Sequence, residues 1–181
     1  AEGQLEAKKD RYDQMLEEVD LMKRLWTEED VEHNGKYYQV HGPKIMPKPF
    51  QQPHPPFFLG GGSEQAADIS ARHSSTHLFW GDYPERIAEQ IKEMRERAAK
   101  YGRQDEIDFA MRLQIICRET EEDAWAAAEA LIAGTENTAM AEMAKTAAQA
   151  DSVANRRAAE LSKTVGRKMT PHLWTGITEV R

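Results

Sequence analysis

The sequence predicts an α/β fold built on a parallel β-sheet. Three short apolar runs, at 56–60, 77–80 and 107–117, are each followed by a segment with helical periodicity. Strands that alternate with helices of this length form βαβ units, so parallel strands covered by helices are expected. A chain of 181 residues is long enough to bury a core, and it is expected to form one domain over 1–181.

The first third of the chain predicts a helix, a short strand and a long loop. Apolar and aromatic residues recur in steps of three and four over 10–26, the spacing of an amphipathic helix. Asn34-Gly35 is a turn signal, and 36–40 could form a strand after it. Six prolines over 42–56 predict an extended loop, because proline lacks a donor and has a fixed φ.

Three further helices are predicted between and after the apolar runs, over 63–73, from 84 to about 101, and over 121–132. Pro84 suits a helix start, where its missing N–H costs nothing. The segment 133–172 is rich in alanine and poor in large apolar residues. It is expected to be a helical insertion or lid that depends on its neighbours for stability.

The composition excludes several classes of protein. The net charge is −7, which argues against nucleic acids and anionic membranes as partners, because both attract clustered positive charge. A single cysteine, Cys117, excludes internal disulfides, and the six histidines show no metal-ligand spacing. No apolar run approaches the ~20 residues of a membrane span, and no signal peptide is evident. A cytoplasmic protein without a metal site is therefore expected.

The glycine turn Gly60-Gly61-Gly62-Ser63 is the sharpest local motif. It lies between a predicted buried strand and a predicted helix. There, the amides of Gly61 and Gly62 and the hydroxyl of Ser63 could bind an anion at the helix N-terminus. The glycine spacing is not that of the dinucleotide fingerprint. An ordinary βα turn with a serine cap is the alternative.

Polar and aromatic residues follow the other two apolar runs. Trp80 ends the second run and could line a pocket or pack in the core. Strand alternation places Arg112 and Gln114 on one face of the third run. A guanidinium among such apolar neighbours requires an anionic partner, which could be a ligand or a carboxylate, unless it is exposed at a strand end.

Several segments together resemble the bacterial-luciferase-like flavin monooxygenases, most closely the alkanesulfonate monooxygenase subgroup. The matching segments are collinear over nearly the whole chain: Arg11-Tyr12, Asn34-Gly35-Lys36, Gln51-Gln52-Pro53-His54-Pro55-Pro56, Gly60-Gly61-Gly62-Ser63, Trp80-Gly81, Arg112-Leu113, Arg118-Glu119-Thr120, Asp123-Ala124-Trp125, Asp151-Ser152-Val153, Leu173-Trp174-Thr175-Gly176 and Val180-Arg181. The resemblance implies a TIM (β/α)₈ barrel of the bacterial-luciferase type. The chain would contain about strands 5–7 and insertion segments, as the middle and later part of that barrel.

The resemblance also implies an activity. The family uses reduced FMN and O₂ to oxygenate a small organosulfur substrate, and the alkanesulfonate enzymes release an aldehyde and sulfite. A separate NAD(P)H-dependent flavin reductase would supply the reduced flavin, and a homo-oligomer is expected. Tyr12 and the Gly62-Ser63 turn correspond to positions that hold the flavin phosphate, and Trp80 corresponds to a tryptophan at a strand end.

Arg112 matches an active-site arginine of the family, and Arg181 matches an arginine in a mobile lid. Two positions depart from the alkanesulfonate pattern. Gln114 stands where those enzymes carry histidine, and Gly62 where they tend to have serine. Glutamine cannot exchange a proton near neutral pH as imidazole does. The alternatives are a different substrate, a deazaflavin cofactor, or a catalytically incompetent relative or fragment with a binding or assembly role.

Overall fold

The computed structural model describes residues 8–42, 45–133, 160 and 168–174. They belong to two compact units. One comprises 1–78 and 92–110, and the other 79–91 and 111–181. No helix within the described residues is long and apolar enough to span a membrane.

The four predicted helices are confirmed, with every end within two residues of the predicted one. They are α1 (Lys8–Thr27), α2 (Glu64–His73), α3 (Pro84–Ala99) and α4 (Glu121–Ile132). The starts of α2 and α4 are capped by a hydroxyl side chain: Ser63 accepts from the N–H of Ala66, and Thr120 from that of Asp123. Such caps satisfy amides that have no partner inside the helix.

A two-stranded antiparallel hairpin follows α1. Its strands are β1 (Glu32–Asn34) and β2 (Gln39–His41). The prediction of a strand over 36–40 was therefore wrong for residues 36–38, which form the turn of this hairpin. The amides of Lys36, Tyr37 and Tyr38 donate to the carboxylate of Glu17 on α1, at 2.8–3.2 Å, instead of to a neighbouring strand.

These hydrogen bonds to Glu17 connect the hairpin turn to α1. The Oε1 of Glu17 also lies 3.0 Å from Nε2 of His33. Burial alone raises the pKa of this carboxyl, but the hydrogen bonds from His33 and the backbone amides lower it, with a net result below the ordinary value. A side chain at Gly35 would collide with the Glu17 carboxylate. Any larger residue at that position would displace the Glu17 carboxylate and the His33 ring from the turn.

The central sheet has the strand order β3-β4-β5. Its strands are β3 (Phe58–Gly60), β4 (Thr76–Phe79) and β5 (Asp108–Met111). Strands β3 and β4 are parallel, with Phe58 opposite Thr76 and Gly60 opposite Leu78. The βαβ unit predicted from the first two apolar runs is confirmed.

The third predicted strand, over 107–117, is much shorter in the structure, because β5 ends at Met111. Its neighbour β4 ends at Phe79, so the sheet offers few residues for a longer strand to pair with. Beyond Met111 the chain is exposed: Leu113 is 47% and Ile115 is 85% accessible to solvent. The apolar character of 112–117 therefore does not indicate burial in this structure.

A last hairpin consists of β6 (Lys168–Thr170) and β7 (Leu173–Trp174), which are antiparallel. It overlaps the end of the segment 133–172, which was predicted to be helical. At 168–170 the structure has a strand instead, because these residues pair with β7. The stretches 134–159 and 161–167 of the predicted insertion lie outside the described residues.

Helices α1 and α2 run side by side in the same direction. Tyr12 near the start of α1 bonds Ser63 at the start of α2, and Lys23 near the end of α1 bonds His73 at the end of α2. The buried apolar side chains of this unit come from both helices and from the elements around them: Val19, Leu21, Val31, Ile69, Met94 and Ile107.

Two buried histidines, His73 and His77, lie in the same unit. Burial lowers the pKa of His77 to about 4, and its Nδ1 lies 2.8 Å from Oγ of Ser70. Burial, with repulsion by Lys23, lowers the pKa of His73 to about 4. The folded protein thus holds both rings in the neutral form well below their ordinary pKa of 6.5.

We predict that stability falls on mild acidification because of these two rings. Below pH 6.5 the unfolded chain binds protons that the folded chain does not, so the contribution is complete above 6.5 and is lost between 6.5 and about 4. The slope approaches roughly 1.4 kcal/mol per pH unit for each histidine. Urea unfolding at pH 7, 6 and 5 measures it. This range lies above the titration of Glu17, whose pKa is below 4.5.

The variant His77→Gln provides the control for this measurement. Glutamine does not titrate, so the variant should lose about half of the pH dependence between 7 and 5. An unchanged slope in His77→Gln would show that the buried ring is not the source of the effect.

Candidate functional site

The turn between β3 and α2 leaves no room for a side chain at Gly61. A β-carbon there would lie 2.6 Å from the β-carbon of Ala66 in the first turn of α2. That is closer than two carbon atoms approach without displacement. The absence of a side chain therefore lets the turn lie directly against the first turn of α2.

Ser63 organises the start of α2. Its Oγ accepts from the N–H of Ala66 at 3.3 Å, and its carbonyl accepts from the N–H of Ala67 at 3.0 Å. The amides of Glu64 and Gln65 have no acceptor inside the helix, since the first N–H groups of any α-helix lack one. These amides and the helix dipole favour a negatively charged group at this end.

A second hydroxyl lies beside Ser63. The Oγ of Ser63 donates to Oη of Tyr12, across 2.8 Å, and both side chains are half-buried. Because the hydrogen of Ser63 is used in this bond, the hydrogen of Tyr12 remains to donate to a ligand. The structure thus brings together two residues, 51 positions apart, that the sequence assigned to the same phosphate site.

The second unit carries the other predicted site residues. Trp80 is 55% exposed. The following residue, Gly81, lies against the side chain of Leu113, since a β-carbon at Gly81 would be 3.5 Å from Cδ2 of that leucine. The structure therefore places the residue after Trp80 next to the residue between Arg112 and Gln114.

Arg112 and Gln114 are both exposed. Of the alternatives left open for Arg112, the structure has exposure beyond a strand end in place of burial with an anionic partner, because β5 ends one residue before it. An exposed guanidinium does not need a partner to offset desolvation, so the burial argument for a bound anion does not apply. Arg181 lies outside the described residues. Within the described part of the chain, no group of His, Cys, Asp and Glu could hold a metal ion.

Sequence reasoning missed the half-buried contact between Lys23 and His73. Its Nζ lies 3.1 Å from Nδ1 of that ring, which is 7% exposed. The spacing of residues along α1 did indicate which face of the helix carries Lys23. Residues 12, 16, 19 and 23 follow one another in steps of four, three and four, so Lys23 lies on the same helix face as Tyr12 and Val19.

A comparison with known proteins shows which family this chain belongs to. The model of the luciferase-like monooxygenase family matches residues 2–179. The chain belongs to this family. The α/β fold class is confirmed, with part of a luciferase-type barrel present.

Three solved structures illustrate the likeness. An EDTA monooxygenase from Chelativorans sp. BNC1 is 19% identical with a TM-score of 0.64, over 91% of this chain and 39% of its own. A long-chain alkane monooxygenase is 24% identical with a TM-score of 0.63, over 70% and 34%. A riboflavin lyase with modified FMN and riboflavin is 23% identical with a TM-score of 0.63, over 68% and 32%. This chain spans about a third of the length of such proteins.

We predict that Gly61→Ala displaces the start of α2. The new methyl group would lie 2.6 Å from Ala66, and overpacking of this kind costs about 1–3 kcal/mol. Chemical denaturation measures the loss. The matched control is Gly81→Ala, where a β-carbon makes only an ordinary contact at 3.5 Å.

The double variant Gly61→Ala/Ala66→Gly should recover most of that loss, because it moves the methyl group from one side of the contact to the other. Equal stability of Gly61→Ala and Gly81→Ala would contradict the close approach of Gly61 and Ala66.

Proposed function

We propose that this chain provides the flavin phosphate site of a flavin-dependent monooxygenase that uses reduced FMN and O₂. The observation that carries the proposal is the Tyr12–Ser63 hydroxyl pair at the N-terminus of α2. Family membership supplies the chemical context, since the matching family model is that of a monooxygenase.

The residues at this helix end fit a phosphate monoester. A phosphate dianion accepts hydrogen bonds and cannot donate them, and the described groups are donors: the hydroxyl of Tyr12 and the amides of Glu64 and Gln65. The Gly61 and Gly62 amides would add to them. The carboxylate of Glu64 is 89% exposed, so solvent screens its charge, and it lies 3.7 Å from the guanidinium of Arg97. Neutral donors and a helix dipole are a common way to bind phosphate.

The bound flavin would supply the electrons that activate O₂. The role of Tyr12 and Ser63 is then to hold the phosphate, which fixes the flavin at one end. Trp80, half-exposed in the second unit, would contribute an aromatic surface for the flavin or substrate. A deazaflavin is the alternative cofactor, and competition between the two for binding would distinguish them.

We propose an organosulfonate as the substrate. A sulfonate presents several oxygen atoms, and the planar fork of Arg112 can donate two parallel hydrogen bonds to such a group. Gln114 would add a neutral donor, and Arg181 a second cation. In the overall reaction one oxygen atom of O₂ would bond to the carbon that bears sulfur, and the carbon–sulfur bond would break. The products would be an aldehyde, sulfite and water, and reduced FMN would be converted to oxidised FMN.

The proposed partners follow from this chemistry. Reduced flavin must come from a separate NAD(P)H-dependent reductase, and the protein is proposed to act as a homo-oligomer. A cytoplasmic location is supported by the single cysteine, Cys117, which is exposed and unpaired, as is usual in a reducing compartment.

A second candidate is a relative that binds flavin without oxygenating a substrate. It is favoured by Gln114, because a glutamine cannot transfer a proton near neutral pH. Flavin binding without turnover on any sulfonate would support this candidate.

We predict that Ser63→Asp weakens the binding of reduced FMN at least tenfold, corresponding to about 1.4 kcal/mol. Aspartate caps a helix as well as serine does, so α2 should remain intact while a carboxylate faces the phosphate. Riboflavin, which lacks the phosphate, should bind as it does to the parent. Anaerobic titration followed by tryptophan fluorescence measures both dissociation constants.

Thr120→Asp is the matched control, because it introduces the same charge at the cap of α4. It should leave FMN affinity unchanged. Tight FMN binding by Ser63→Asp would exclude the proposed phosphate site.

We predict that Arg112→Lys lowers kcat/KM for a sulfonate by roughly tenfold, because lysine keeps the charge but loses the forked geometry. Arg112→Ala should lower it further. Since Arg112 is exposed, neither variant should change the melting temperature noticeably. Steady-state turnover of the enzyme with its reductase is the measurement.

Arg118→Ala serves as the control for Arg112. Arg118 is an exposed arginine of the same segment that bonds the carbonyl of Cys117. Its loss should leave turnover unchanged. Full activity of Arg112→Ala would refute a catalytic role for Arg112.

A further inference from the structure

The contact between Lys23 and His73 lies at the opposite end of the α1–α2 pair from the phosphate site. The Nζ of Lys23 is 3.1 Å from Nδ1 of His73 and 3.5 Å from its carbonyl oxygen. It also lies 5.5 Å from the ring centroid of Phe57. Because the ammonium group can only donate, the ring must present an unprotonated Nδ1 toward it.

Holding a cation at this position is costly. Burial and the nearby guanidinium groups of Arg103 and Arg72 lower the pKa of Lys23, and only Asp20 opposes them. Asp20 pairs with Arg72 across 3.4 Å, but both side chains are 42% exposed, and exposed pairs of this kind contribute little. Asp20 also lies 3.6 Å from Nε2 of His73, which is beyond hydrogen-bond distance. The half-buried bond from Lys23 to His73 is therefore the closer polar link at this end of the two helices.

The two ends of the pair are geometrically linked. Tyr12 and Lys23 are eleven residues apart on α1, or about 16 Å along the helix axis. Their partners Ser63 and His73 are ten residues apart, or about 15 Å. The matching lengths allow both bonds in a single alignment of the helices, and a shift by one helical turn of about 5.4 Å would break both.

We propose that Lys23 is a positioning residue for the flavin phosphate. Its bond to His73 fixes how far α1 lies along α2, and this holds the hydroxyl of Tyr12 beside Ser63. The inference rests on the proposed phosphate site, since it assigns a remote residue to that site. Lys23 itself does not touch the cofactor.

The test compares Lys23→Met with Arg24→Met. Methionine fills much of the space of lysine without donating. Arg24 is the neighbouring cation on α1, and its bonds go to Glu28 and to the carbonyl of Glu32. Both variants thus remove one positive charge from the same helix, but only the first removes a bond to α2.

The first readout is the ratio of the dissociation constants for riboflavin and FMN. In Lys23→Met this preference for FMN should fall roughly fivefold, to the level of Tyr12→Phe, and in Arg24→Met it should equal the parent's. Adding Tyr12→Phe to Lys23→Met should cause no further loss of the preference for FMN. Lys23→Arg, which keeps a donor, should retain most of the preference.

The second readout needs no flavin. The amide of Ala66 donates to Ser63, so its ¹⁵N resonance reports on the hydroxyl pair. It should shift in Lys23→Met in the same direction as in Tyr12→Phe, and it should stay in place in Arg24→Met. If Lys23→Met does not fold, Lys23→Gln replaces it, because its amide is too short to reach Nδ1.

The outcomes separate the two proposals. If the parent prefers FMN and Lys23→Met matches Arg24→Met in both readouts, Lys23 does not position Tyr12, even if the variant is less stable. If the parent does not prefer FMN to riboflavin, the proposed phosphate site is wrong. In that case an unchanged Ala66 resonance in Lys23→Met would also overturn the link between the two helix ends.

Discussion

The alignment of α1 along α2 is the constraint on which the described site depends. Helix α1 reaches three other parts of its unit through polar side chains on its surface. Tyr12 bonds the start of α2, Glu17 binds the turn of the β1–β2 hairpin, and Lys23 bonds His73 at the end of α2. These bonds are directional, unlike apolar contacts, so they specify one relative position of the helices. The hydroxyl pair at the glycine turn is a consequence of that position.

The helices and the glycine turn were predictable because their signals are local. Apolar spacing identified α1, the alternation of apolar runs with helical segments identified the other three helices, and a serine between the glycine turn and a predicted helix identified the cap of α2. The hairpin turn was not predictable in detail, because the amides of 36–38 are satisfied by Glu17, about 20 positions earlier. Lys23 had a partial signal in its helix face, but its partner His73 is 50 residues away. Contacts of this kind depend on tertiary packing, which no local pattern encodes.

The segment after β5 shows how an apolar pattern can mislead. Residues 112–117 alternate like a buried strand, yet β5 ends at Met111 and Ile115 is 85% exposed. A strand requires a neighbour along its whole length, and the length of β4 is not visible in the sequence of β5. The function was predictable only as far as the family, because collinear motifs identify a fold and a cofactor class. The substrate depends on single side chains such as Gln114, whose surroundings the sequence does not define.

The most direct test of the phosphate site is the ³¹P resonance of FMN bound to this protein, followed from pH 5 to pH 8. Free FMN titrates in this range, since the second pKa of a phosphate monoester is near 6. Amides and a helix N-terminus favour the dianion, so the bound signal should be shifted and nearly independent of pH. A bound flavin whose phosphorus signal titrates like that of free FMN would show that the phosphate lies in solvent, and it would contradict the role assigned to Tyr12, Ser63 and α2.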